Sequence, residues 1–139
     1  MSLDLSAVNW WAVLVAAGAS FVLGGVWYMV LFGKAWRRVY GFSDEDLERM
    51  GAHPERTFPT LFLCDLVAAA VVAVLAAQLG IVGAPGGVAL GLVLGLGVIG
   101  AGTLATATGS GRPVKGWLID AGKHVASFIV MGVILGAWR

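Results

Sequence analysis

The chain has 139 residues, of which 59% are hydrophobic and 12% are charged, and its formal net charge is +1. Soluble domains are about 45–50% apolar and about 25% charged, so a soluble core of this size could not bury so much apolar surface. The composition therefore excludes an ordinary soluble domain, and the small net charge gives no support for nucleic-acid binding. The single cysteine, Cys64, excludes an internal disulfide framework and a multi-cysteine metal site.

Four apolar segments follow one another along the chain, and each is close to the roughly 20 residues that cross a bilayer. The predicted spans are about residues 7–32, 58–80, 87–108 and 114–138. The fourth span is the best defined, because Trp117 and Trp138 would lie about 31 Å apart on a helix, which matches a membrane thickness. The predicted fold class is all-α: a single domain, polytopic in the membrane, that forms a bundle of four transmembrane helices.

The connection between the first two spans, residues 33–57, is the largest polar segment. Within it, Ser43 is followed by Asp44, Glu45 and Asp46, a pattern typical of an N-cap with acidic residues in the first helical turn. The pattern predicts one short helix at residues 44–50. We interpret the rest of the segment as a solvated connector, with a docking surface for a partner as the alternative.

The distribution of basic residues predicts the orientation of the chain. Seven lie in the first and third connections, none lies in the second, and the C-terminus adds only Arg139. The seven residues are Lys34, Arg37, Arg38, Arg49, Arg56, Arg112 and Lys115. The positive-inside rule therefore places the first and third connections in the cytoplasm and both termini outside.

Small residues recur four positions apart on the third and fourth spans, a spacing that lets helix backbones approach closely in lipid. The residues predicted to pack in this way are Gly91, Gly95, Gly102, Gly132 and Gly136. On the fourth span the glycine face lies opposite the polar face. Such a helix is either central in the monomer or located at a subunit interface, and we expect a homo-oligomer.

Ionisable side chains inside the predicted spans mark the candidate site, because such groups are costly in hydrocarbon. Asp120, Lys123 and His124 lie on one face of the fourth span, and Asp65 lies at a similar depth in the second. Polar side chains of the first and third spans reach the same level. The predicted cytoplasmic-side polar layer consists of Asp65, Asp120, Lys123, His124, Tyr28 and Thr103.

This layer has two interpretations. In the first, it binds a ligand or forms a proton pathway in which a carboxylate and the imidazole of His124 exchange protons. In the second, an ion pair between Asp65 and Lys123 only joins the second and fourth spans. Lys123 could also extend its ammonium group to the lipid headgroups.

No catalytic motif is evident in the sequence. The glycines lie within predicted spans rather than in a phosphate-binding loop, and two histidines 71 residues apart do not have the spacing of zinc ligands. We therefore expect a protein that is not an enzyme, with no catalytic residues, no bound metal and no cofactor.

Several segments resemble a family of small bacterial membrane proteins known as domain of unknown function 1761. They are Asn9-Trp10, Phe21-Val-Leu-Gly24, Trp27-Tyr28, Leu31-Phe-Gly-Lys-Ala-Trp36, Gly122-Lys-His124 and Met131-Gly-Val-Ile-Leu-Gly-Ala-Trp138. The resemblance covers nearly the whole chain. It implies a four-span architecture in a bacterial inner membrane, and it implies no activity.

Two hypotheses of function follow. The leading one is an oligomeric inner-membrane protein that transports or binds a small solute or ion through the cytoplasmic-side polar layer. The alternative is a non-catalytic accessory or structural subunit in which this layer fixes the register of the helices. In both, the lipid bilayer and further copies of the chain are the expected partners, and nucleic acid is not.

Overall fold

The computed structural model describes residues 3–138, and within this range it contains helices and no strand. Four helical segments are long and apolar enough to cross a membrane, which confirms the predicted all-α fold class with four candidate membrane spans. We number them spans 1 to 4: Trp10–Leu31, Pro54–Gln78, Ala84–Gly109 and Val114–Ala137. The protein is therefore a multi-pass membrane protein.

Span 1 ends in a sharp bend. Its α-helix α1 (Trp10–Val26) begins at Asn9, whose side-chain oxygen accepts a hydrogen bond from the backbone N–H of Ala12 at 3.2 Å. A single π-helical stretch (Trp27–Leu31) completes the span. Gly33 lies two residues after Leu31, and a Cβ atom at this position would overlap the carbonyl oxygen of Tyr28. A glycine is therefore required where the chain leaves the span.

The first connection contains two helices instead of the one that the sequence predicts. Helix α2 (Gly33–Tyr40) precedes the predicted short helix, which is α3 (Asp44–Gly51). Helix α2 ends at Gly41, which adopts a φ of +70°. The side chain of Ser43 caps α3 in a reciprocal hydrogen-bonded capping box. The predicted solvated connector at residues 33–40 is thus an ordered helix that packs against span 4.

The remaining spans are built from five segments. Span 2 is the uninterrupted helix α4, and it starts four residues earlier than predicted because Pro54 occupies its first turn. Span 3 is two α-helices joined by a π-helical stretch, and span 4 is the uninterrupted helix α7. The bounds are α4 Pro54–Gln78, α5 Ala84–Leu92, π-helix Val93–Gly100, α6 Ala101–Gly109 and α7 Val114–Ala137.

Span 4 is the central helix, since its contacts with the other three spans are more extensive than those of any other span. Its tightest neighbour is span 3, where a Cβ atom on Gly132 would overlap the carbonyl oxygen of Gly87. The backbone N–H of Gly83 also donates to the carbonyl oxygen of Gly136 at 2.7 Å. The glycine face of span 4 is therefore covered within the monomer.

The glycines predicted to pack differ in their surroundings. Added Cβ atoms would overlap the backbone of span 4 at Gly91 and Gly95, whereas Gly102 is exposed and has nothing within 4 Å of its Cβ position. Gly91 and Gly95 thus lie at the contact of spans 3 and 4, and Gly102 lies on the outer surface of the bundle.

Apolar and polar side chains separate along the length of the bundle. The buried apolar core lies in the half nearer the chain termini and includes Val13, Val72 and Met131. The ionisable groups of the spans lie in the other half, next to the first and third connections. We call that end the basic end, because Lys34, Arg37, Arg38, Arg112 and Lys115 belong to it.

Candidate functional site

The carboxylate of Asp120 accepts hydrogen bonds from three aromatic side chains at the basic end. Its Oδ1 accepts from the hydroxyl of Tyr28 at 2.6 Å and from Nε1 of Trp36 at 3.1 Å. Its Oδ2 accepts from the hydroxyl of Tyr40 at 2.6 Å. Span 1 supplies Tyr28, and α2 supplies the other two donors, which the bend between span 1 and α2 brings to span 4. We call Asp120, Tyr28, Trp36 and Tyr40 the Asp120 cluster.

Ring packing holds the donors of the Asp120 cluster in place. The ring of Trp36 meets those of Tyr28 and Tyr40 edge to face, with centroids 5.6 and 5.7 Å apart. Burial, followed by the hydrogen bond to Asp120, raises the pKa of Tyr40 to about 12. Tyr40 therefore keeps its proton, and remains a donor, at any physiological pH.

A second polar group lies about one helical turn further along span 4. Nζ of Lys123 is 3.8 Å from Oδ1 of Asp65, and the same oxygen accepts a hydrogen bond from the hydroxyl of Ser20 at 2.7 Å. The stem of Lys123 passes over Gly24, where a Cβ atom would lie 3.1 Å from Cε. The predicted ion pair is thus present, and Lys123 points into the bundle instead of extending to the headgroups. We call Ser20, Asp65 and Lys123 the Asp65 cluster.

The predicted single layer is therefore two clusters that follow one another along spans 1 and 4, with Tyr28 and Asp120 in one and Ser20 and Lys123 in the other. Consecutive residues of a helix point about 100° apart. Lys123 consequently faces spans 1 and 2, whereas His124 faces a cavity beside span 3. Of the six predicted residues, Tyr28 and Asp120 belong to the Asp120 cluster, and Asp65 and Lys123 belong to the Asp65 cluster.

The cavity at the basic end has a volume of about 180 Å³ and opens to the surface of the bundle. Span 4 contributes Trp117, Asp120 and His124 to its wall. The other walls come from α2, span 3 and the third connection. Their polar lining residues are Tyr40, Thr103, Thr106 and Arg112.

Hydrogen bonds fix one wall of the cavity. Nε1 of Trp117 donates to the hydroxyl of Thr103 at 3.0 Å, and that hydroxyl donates to the carbonyl oxygen of Ile99 at 2.7 Å. His124, half-buried opposite, forms no hydrogen bond with any residue in the range 3–138. The predicted residues Thr103 and His124 therefore meet at this cavity, and of these two only His124 forms no hydrogen bond with residues 3–138.

Six polar or aromatic residues of the site lie outside the set predicted from the sequence: Trp36, Tyr40, Ser20, Thr106, Arg112 and Trp117. Trp36 and Tyr40 are four positions apart, which places both on one face of α2. The basic residues Arg37 and Arg38 lie between them in the sequence. That amphipathic spacing was the available signal. Their partner Asp120 is 80 or more positions away in the chain, so nothing local in the sequence identifies it.

Metal binding has no geometric support in the described part of the chain. Within residues 3–138, no group of three or more histidine, cysteine, aspartate or glutamate side chains is close enough to hold an ion.

Comparison with known proteins identifies a family. A family described as "Protein of unknown function (DUF1761)" has a sequence model that matches residues 11–136. No curated protein and no solved structure matches the chain. The matched range includes both polar clusters and every lining residue of the cavity. Because the match covers nearly the whole chain, this protein belongs to the DUF1761 family of proteins of unknown function.

Proposed function

We propose that this protein binds a small polar solute, without catalysis, in the cavity at the basic end of the bundle. The observation that carries the proposal is the composition of the cavity wall. A carboxylate, an imidazole and a guanidinium, from Asp120, His124 and Arg112, surround one volume in a chain that is otherwise apolar. Ionisable groups in membrane proteins are characteristic of solute and ion sites.

The size of the cavity limits the solute. A volume of about 180 Å³ is smaller than the roughly 300–1,000 Å³ of sites for drug-sized ligands. It suits a few water molecules, a small organic ion or a single headgroup, since each water occupies about 30 Å³ in the liquid.

The apolar half of the bundle supports binding from one side. Beyond His124, the polar side chain of Ser127 is buried and has no hydrogen-bond partner among residues 3–138. Past it, the bundle is closed by buried Val13, Val72 and Met131. We propose that the solute enters from the basic end, which the positive-inside rule places in the cytoplasm of a bacterial inner membrane, with both termini outside. Transport, in this proposal, requires the helices to separate.

Self-association is part of the proposal. The glycine face of span 4 is occupied by span 3, but Gly97 and Gly102 of span 3 lie exposed, with nothing within 4 Å of their Cβ positions. Small residues on a lipid-facing helix allow close approach of a second helix. We expect a homo-oligomer in detergent, and a monomeric mass by light scattering would contradict it.

The proposal is tested by filling the cavity. Thr106 lines the cavity and is exposed, whereas Thr108 is exposed on the same helix and does not line it. Purified protein is screened for thermal stabilisation by small cations, anions and neutral solutes, and any stabilising solute is tested for flux in liposomes. We expect Thr106→Trp to abolish the stabilisation and Thr108→Trp to preserve it. Stabilisation by no solute, or equal loss in both variants, would refute a binding site here.

A structural role is the second candidate, and the Asp120 cluster favours it. Both carboxylate oxygens of Asp120 already accept hydrogen bonds from the protein. In this alternative the cluster fixes α2 on span 4, and the protein serves as an accessory subunit. It predicts that Asp120→Asn lowers stability while the solute screen finds nothing.

A further inference from the structure

We propose that the solute carries an anionic group, a phosphate or a carboxylate, which Arg112 and His124 bind together. This inference rests on the proposed function, since it names the chemistry of the ligand for the same cavity. It follows from which donors and acceptors in the cavity wall already form hydrogen bonds within the protein.

Most polar groups of the wall are engaged by the protein itself. The hydroxyl of Tyr40 donates to Asp120, and Nε1 of Trp117 donates to Thr103. The hydroxyls of Thr103 and Thr106 donate to backbone carbonyl oxygens of their own helix. These groups shape the cavity but have no proton left to donate to a ligand.

Two groups remain without a protein partner. Arg112 forms no ion pair or side-chain hydrogen bond with any residue in the range 3–138, and the same holds for His124. The guanidinium is always charged and has five N–H donors, and the imidazole has at least one. Most of the unused hydrogen-bonding capacity of the cavity is therefore that of N–H donors, which an acceptor-rich anion satisfies.

The acidic residue of the wall does not reverse this conclusion. Asp120 accepts three hydrogen bonds, two of them at 2.6 Å, so its charge is largely balanced by fixed donors. Oδ2 accepts one hydrogen bond and Oδ1 accepts two, so a cationic ligand would find about one acceptor position left on the carboxylate. An anionic ligand competes with nothing at Arg112 or His124.

The start of span 4 adds to the positive potential. Arg112 lies just before α7 and Trp117 lies in its first turn, so the N-terminus of this long helix borders the cavity. No side chain caps that N-terminus. Its free N–H groups and the positive end of the helix dipole favour an anion nearby. This contribution supports the two side chains and would be insufficient without them.

A phosphate or carboxylate reaches this cavity from either of two sources. A soluble anion enters from the aqueous side, and a lipid headgroup enters from the interface, where Trp117 is expected to lie. The recognition chemistry is the same for both. The experiment therefore includes one probe of each kind.

The test measures binding of inorganic phosphate and of dioctanoyl phosphatidic acid to the full chain in a neutral detergent at constant ionic strength. Dioctanoyl phosphatidylcholine and tetraethylammonium are the zwitterionic and cationic comparisons. We expect the two anions to raise the unfolding temperature in a saturable way. Arg112→Gln and His124→Gln should each weaken that binding about tenfold or more, as loss of a charge-assisted hydrogen bond does.

The matched control is Lys115→Gln, which removes the same charge at the same end of the bundle from a residue that does not line the cavity. Its anion binding should stay within about twofold of the wild type, since Lys115 is exposed outside the cavity wall, where solvent and salt screen its charge. Equal weakening in Arg112→Gln and Lys115→Gln would overturn the site. Saturable binding of phosphate alone assigns a soluble anion, binding of phosphatidic acid alone assigns a headgroup, and either result supports the inference.

The results of these experiments distinguish the inference of an anionic ligand from the proposed binding function on which it rests. Suppose that tetraethylammonium or a neutral solute binds, that Thr106→Trp blocks it, and that neither anion binds. The anion inference then fails while the proposed binding function stands. If no solute of any charge stabilises the protein, both fail.

Discussion

At the scale of single residues, Asp120 connects three parts of the chain that are distant in sequence. Its oxygens receive donors from span 1 and from α2, and each donor is aromatic. Hydrogen bonds to charged groups contribute about 1.5–3 kcal/mol in water-soluble proteins, but measured values between membrane helices average nearer 0.6 kcal/mol. We therefore attribute to the cluster a local effect, the placement of α2, and not the stability of the whole bundle.

The pKa of Tyr40 provides a direct measurement of this cluster. The chain has two tyrosines, so Tyr28→Phe leaves Tyr40 as the only one. In that variant, the ultraviolet absorbance of the phenolate should rise with a midpoint at about pH 12. Adding Asp120→Asn removes a carboxylate that favours the protonated phenol, so the midpoint should fall. It should stay above the ordinary value of about 10, because burial is the larger cause.

The same shift makes stability depend on pH in a defined direction. The pKa of Tyr40 is higher in the folded chain than in the unfolded chain, so the protonated phenol contributes stability that is complete below about pH 10. That contribution is lost as the pH rises through about 12. A Tyr28→Phe protein that titrates near pH 10 with its helix content intact would show that Tyr40 does not contact Asp120.

The candidate site was partly predictable from single residues. Asp65 in span 2 and Lys123 in span 4 are ionisable groups at a similar depth in the membrane. Hydropathy and helix geometry therefore suffice to predict that they form a pair. Tyr28 was placed at the level of Asp120 from the sequence, but the other two partners of Asp120 were not predictable. Trp36 and Tyr40 lie outside the spans, where aromatic residues are common because they prefer the membrane interface. Only the bend at Gly33 brings them back to span 4.

At the scale of elements, the spans were predictable and α2 was not. A run of about 20 apolar residues specifies a membrane helix by itself, since no other backbone conformation satisfies its hydrogen bonds in lipid. Helix α2 has eight residues, too few to be stable alone, and it depends on contacts with span 4. Its sequence, rich in basic residues, resembles that of a connector.

Glycine packing between spans 3 and 4 gives a prediction at this scale. Gly132→Ala places a methyl group against the carbonyl oxygen of Gly87, so we expect the free energy of unfolding to fall by about 1–3 kcal/mol. Gly102→Ala is the matched control. Its site is exposed and empty, so it should be neutral or stabilise the helix by up to about 1 kcal/mol. Unfolding of the purified protein in mixed micelles measures both, and equal losses would contradict the contact of spans 3 and 4.

At the scale of the whole molecule, two asymmetries coincide. The basic residues of the connections and the polar clusters of the spans lie at one end of the bundle, whereas the apolar core closes the other. A solute that binds in the cavity therefore has access from one side of the membrane. Which side this is depends on the orientation of the chain, so topology determines where the solute comes from.

Orientation is tested with a reporter that is active only in the cytoplasm. Fused after Arg139, it should be silent, because the positive-inside rule, applied to four spans with a basic first connection, predicts that both termini lie outside. Fused after Gly111, at the basic end behind span 3, it should be active. The reverse pattern would place the cavity at the outer face, and the anions of the cytoplasm could then no longer be its ligands. Activity at both positions would show that the chain inserts in both orientations, and that the seven basic residues of the connections do not fix its direction.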